Sequence, residues 1–171
     1  MTRKRIGIVY VLAYIGTIFA ANWAIARFGV VPVGFGLYAP AGVYFAGLAF
    51  TLRDLTQDTL GKRWVIGAIL VGAACSAFVS PAFAVASGTA FLVSEGLDFA
   101  VYTPLKERDR WLAGVLASNS VGLVLDSLIF LWLAFHSLQF FWGQVVGKAW
   151  MTGLAVIVLA VLPRNTQTEL A

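Results

Sequence analysis

The chain has 171 residues, of which 60% are hydrophobic and 12% charged, with a mean hydropathy of +0.87. Soluble domains are roughly 45–50% apolar and about 25% charged, and a soluble fold of this length could not hide so much apolar surface, so the composition points to lipid as solvent. The formal charge of +4 does not point to nucleic acid, because the basic residues fall in short clusters between apolar runs rather than on one solvated face.

A hydrocarbon core about 30 Å thick requires roughly 20 helical residues. The first apolar run predicts a helix over residues 6–28. It follows Arg3-Lys4-Arg5 and is longer than a signal-peptide core, so it is read as a retained span. A second span is expected over 30–52, with Pro32 and Pro40 making its first part irregular. The stretch from Trp64 to Leu105 is too long for one crossing. Ser80-Pro81 breaks it, since proline disfavours a helical conformation in the residue before it. This gives helices over 64–79 and 81–105 joined by an uncharged turn. Two more are expected over 111–135 and 140–162. The fold class is therefore all-α: a single integral membrane domain, 1–171, built as a six-transmembrane-helix bundle.

Orientation follows from the basic residues. Six spans place Arg3, Lys4, Arg5, Arg53, Lys62, Arg63, Lys106, Arg108, Arg110 and Arg164 on one side, and Arg27 on the other. By the positive-inside rule both termini are cytoplasmic. The location expected is the cytoplasmic (inner) cell membrane, multi-pass.

Polar residues inside the apolar runs carry the chemistry. An ionisable side chain at mid-bilayer costs roughly 2.5–3.5 kcal/mol on insertion scales, so such groups face a bundle interior and mark a pathway or ligand site. Glu95 and Asp98 lie three apart on one helical face, which Tyr102 extends. Asn119, Gly122 and Asp126 share a face of the fifth helix. Gln144, Lys148 and Thr152 form a stripe on the sixth, and Asn22 stands beside Trp23 on the first. The simpler reading is that these groups only hold helices together, with Lys148 neutralising Asp126. Against it, three acids face one buried base, so a protonated carboxyl, a water or a polar ligand must complete the set. Trp111, Trp132, Trp142 and Trp150 read as interfacial anchors, and His136 as a solvated residue at the outer end of the fifth helix. One cysteine, Cys75, and one histidine leave no disulfide framework and almost no soft metal site. With no nucleophile elbow, phosphate loop or HExxH, no enzyme, cofactor or metal is expected.

Three segments resemble the queuosine precursor transporter family, the vitamin-uptake-transporter-like small membrane proteins. They are GVYFAGLAFTLRDLTQDTLGKRW at 42–64, SEGLDFAVYTPL at 94–105 and ASNSVGLVLDSLIFLWLAF at 117–135. With Asn22 they run across most of the chain in the family's order. The resemblance implies a fold similar to energy-coupling-factor substrate-binding subunits and import of a 7-deazaguanine-type base such as 7-cyano-7-deazaguanine. A guanine-like edge offers adjacent donors to a carboxylate, for which Glu95 is the first choice and Asp98 or Asp126 the alternates. Asn119 and Asn22 would read the carbonyl and ring nitrogens, Trp23 or Tyr102 would stack on the ring, and Lys148 would donate to the carbonyl or balance an acid. Arg53 and Asp54 are expected to have a structural or gating role. Alternating access would proceed around a midplane site on the first, fourth, fifth and sixth helices. The alternatives are a vitamin-binding subunit of a multi-component transporter and a non-transporting membrane protein. The partners expected are the deazapurine and the bilayer, not nucleic acid, with a homodimer left open.

Overall fold

The computed structural model describes the backbone of residues 3–106 and 111–161; the side chains of residues 3, 98–119, 156 and 159–161 lie outside the described set. Six helices run through these residues: α1 (Arg3–Phe28), α2 (Val43–Leu60), α3 (Lys62–Ala77), α4 (Pro81–Lys106), α5 (Trp111–Phe135) and α6 (Phe141–Val161). Between α1 and α2 lies an antiparallel hairpin, β1 (Val30–Gly34) and β2 (Leu37–Pro40).

That hairpin corrects the expected span over 30–52. The apolar content of 30–40 is the same for a helix as for a strand, but its local chemistry favours the strand. Gly29 closes α1 in the left-handed region at φ +65. Val30, Val31 and Val33 are β-branched, and Pro32 and Pro40 supply no helical N–H. The reversal uses Gly34, Phe35 and Gly36, all at positive φ. Helix α2 consequently starts later and runs further than expected, ending where Gly61 (φ +89) turns the chain into α3.

Local signals set the other ends. Pro81 opens α4 at the first helical position, where its missing N–H costs nothing. Ser80 before it accepts the Phe83 amide at 3.3 Å, an N-cap. His136 ends α5 at φ +49, its amide donating to the Trp132 carbonyl at 3.0 Å, a left-handed cap.

Around the bundle, neighbours run α1–α2–α6–α5–α4–α3 and back to α1. Small residues allow the closest approaches. A Cβ on Gly47 would lie 2.7 Å from the Lys148 carbonyl, and one on Gly143 would run into that of Tyr38. Ser76 ties α3 to the Ile18 carbonyl of α1 at 3.4 Å, and Thr152 ties α6 to the Gly47 carbonyl of α2 at 3.3 Å.

The hairpin lies along α6. Trp150, expected as an interfacial anchor, instead donates to the Val33 carbonyl at 3.2 Å and stacks on Phe35, with ring centroids 6.1 Å apart. Tyr44 donates to the Pro32 carbonyl at 2.8 Å. Val33, Ala39 and Val43 form a small core against this face.

The polarity is inverted relative to a water-soluble protein. Asn22, Arg53, Glu95, Asp126, Gln144 and Lys148 are buried, while Leu12, Leu70, Val85, Leu133 and Ile157 are exposed. An apolar exterior around a polar interior is the arrangement lipid selects. By length and hydropathy, Lys4–Phe28 is one helix able to cross a bilayer, and the described parts of α4 and α5, Pro81–Leu97 and Ser120–Phe135, are shorter apolar helices.

Candidate functional site

A small cavity lies between α1, α2, α4, α5 and α6. Its polar lining is Asn22, Ser87, Asp126, Gln144 and Lys148; its apolar lining includes Ile25, Val43, Phe91 and Phe130. Counting about 1.5 Å per residue, Asn22, Ser87, Asp126 and Lys148 sit about 9–14 Å from the nearest ends of their own helices. That end holds the hairpin and the α3–α4 turn. Asn22 and Ser87 thus lie about midway between that end and the middle of their helices, whereas Asp126 and Lys148 lie within about 5 Å of the middle of theirs, and α2 lines the cavity in addition to the four expected helices.

Lys148 and Asp126 form the centre. Where its backbone packs against Gly47, α6 turns the Lys148 side chain inward until it is 1% exposed. Its ammonium donates to the Asp126 carboxylate across a short contact and to Ser127 Oγ at 2.9 Å. Removing one partner of such a buried pair costs about 3–5 kcal/mol. Asn22, wholly buried, donates from Nδ2 to the Ile18 carbonyl at 3.3 Å and to Ser87 Oγ at 3.0 Å. A carbonyl only accepts, so the amide nitrogen must face Ile18, and Oδ1 is left without a partner. Gln144 is 2% exposed, and its Oε1 is also unpartnered. Each such buried orphan costs about 1–3 kcal/mol.

A second polar layer lies deeper. Glu95 is eight residues, about 12 Å, beyond Ser87 along α4. Its carboxylate is 3.4 Å from Arg53 Nη1. Arg53 also grips Asp54, from Nε at 3.0 Å and Nη2 at 2.8 Å. Phe50 separates the layers. The Arg53 guanidinium carbon lies 5.5 Å from its ring centroid and the Lys148 ammonium 5.8 Å. Phe91 meets Phe50 edge-on at 6.1 Å and Tyr14 at 6.4 Å.

Of the residues expected at a site, Asn22, Asp126 and Lys148 come together at the cavity. Glu95 does not line it; it is engaged by Arg53 in the deeper layer. Trp23 is 45% exposed and packs edge-on against Phe28 on the outer side of α1, so no stacking platform forms there. The side chains of Asp98, Tyr102 and Asn119 lie outside the described residues. Ser87 and Gln144 join the cavity beyond the expected set. Gln144 was visible as the first member of the polar stripe on α6, whereas a serine among small residues on α4 gave no signal.

A family profile described as "Putative vitamin uptake transporter" matches residues 78–163, half of the chain. The chain belongs to this family. The match spans α4, α5 and α6, which supply Ser87, Glu95, Asp126, Gln144 and Lys148. A membrane protein of transporter type accounts for the inverted polarity. No curated protein and no solved structure matches the chain.

Proposed function

We propose that this vitamin uptake transporter relative imports a 7-deazaguanine-type queuosine precursor, such as 7-cyano-7-deazaguanine, through the cytoplasmic membrane. It would do so with six crossings and both termini cytoplasmic. The single observation that carries a solute-carrying role is the buried Lys148–Asp126 pair on the lining of a small cavity between the helices. The choice of base rests on the resemblance of residues 42–64, 94–105 and 117–135 to queuosine precursor transporters.

The cavity holds about 30 Å³, enough for a water or two and far below the roughly 300–1,000 Å³ of ligand pockets. A base therefore enters only if the cavity widens. Substrate entry requires α6 or the hairpin to move from the cavity, and exit requires the Phe50–Phe91 layer and the Arg53–Glu95 pair to part. A planar base entering between Lys148 and Asn22 meets a cation, a carboxylate and amide groups at fixed positions. Import needs no bond chemistry, so ordered release of these contacts is the whole mechanism. Labelled 7-cyano-7-deazaguanine should accumulate in cells that lack their own precursor synthesis only when this chain is expressed. Equal accumulation with and without it would refute the reading, and accumulation of a vitamin instead would favour the vitamin-binding alternative.

A further inference from the structure

We infer that Asn22 and Gln144 set the substrate specificity of the cavity, selecting a planar ring edge that presents an acceptor followed by two donors. The inference rests on the carrier reading above and narrows it. It is built on two side chains that are almost wholly buried, line the same cavity and leave polar atoms unpartnered there.

The orientation of Asn22 is fixed, because its nitrogen serves the Ile18 carbonyl; its Oδ1 can only accept. Ser87 Oγ, which receives the other Asn22 hydrogen, points its own hydrogen to the Ala84 carbonyl at 3.4 Å, so Ser87 does not quench Oδ1. Gln144 offers an amide, one acceptor beside two donors. A primary amide pairs in bidentate fashion with any ring edge carrying an acceptor next to a donor, as Gln does with bases in nucleic acids. Asn22 Oδ1 then requires one more donor. A guanine-type edge supplies all three groups: carbonyl, ring N–H and exocyclic amine. A hypoxanthine-type edge lacks the last, and an adenine-type edge has C–H there. Lys148 and Asp126 remain paired with each other and are not needed to read this edge.

The test measures dissociation constants of the purified full chain in lipid nanodiscs for 7-deazaguanine and 7-deazahypoxanthine, which differ by the exocyclic amine. The wild-type chain should favour 7-deazaguanine by about tenfold, the value of one buried hydrogen bond. Asn22→Leu should level the two bases, whereas Gln144→Leu should weaken both and keep the ratio. Equal wild-type affinities overturn the inference without any variant. A ratio unchanged in a folded Asn22→Leu protein overturns the role of Asn22 and leaves the carrier reading standing. No binding of either base by the wild-type chain overturns both.

Discussion

Lys148 can lie far from bulk water because Asp126 and Ser127 accept from its side-chain nitrogen, and each buried acid among the described residues has its own partner. Asp126 answers Lys148, and Glu95 answers Arg53. Lys148→Met leaves the Asp126 carboxylate stranded and should lower stability by about 3–5 kcal/mol, read as an earlier thermal transition in detergent. Combining it with Asp126→Leu should recover most of that loss while uptake stays absent, which separates folding from transport. Glu95→Gln should keep base affinity within about twofold and slow transport, a rate effect without a binding effect; a large loss of affinity would return Glu95 to the binding site. The Asp126–Lys148 pairing was legible because the sequence holds one basic residue within the apolar runs. The partner of Glu95 was not. Positive-inside counting put Arg53 at a cytoplasmic helix end, and only the continuation of α2 to Leu60 buries it.

At the level of elements, five of the helices could be read from apolar length and the Ser80-Pro81 break. The hairpin could not, because valine-rich residues 30–40 satisfy a hydropathy window in either conformation, and their docking partner, α6, lies over a hundred residues away. Glycines specify that docking. Gly143→Ala would drive a methyl group into the Tyr38 carbonyl and should cost at least about 1–3 kcal/mol. Gly67→Ala, with nothing within 4 Å of the added carbon, should be neutral or slightly stabilising, since alanine is the better helix former. Paired melting curves check both. If Gly143→Ala melts like Gly67→Ala, the hairpin does not pack on α6 as described.

For the molecule as a whole, helix packing closes a ring around two charge layers, and Lys4, Arg5, Lys62 and Arg63 lie at the end opposite the hairpin. In a Cys75→Ala background, a cysteine at Phe78, which is 93% exposed in the α3–α4 turn, should react with an impermeant thiol reagent added outside intact cells. One at Lys62 should react only after the cells are opened. The reverse pattern would invert the proposed topology. The hairpin also bears on how the protein tolerates engineering. Tyr44 and Trp150 occupy two of its carbonyls, and two prolines bring no amide. The 30–40 segment is thus a water-independent panel in the wall rather than a spare connector. Affinity tags spliced at its tip would drag hydrophilic chain into oil and abolish assembly, whereas the Phe78 turn, held by its caps alone, can carry them.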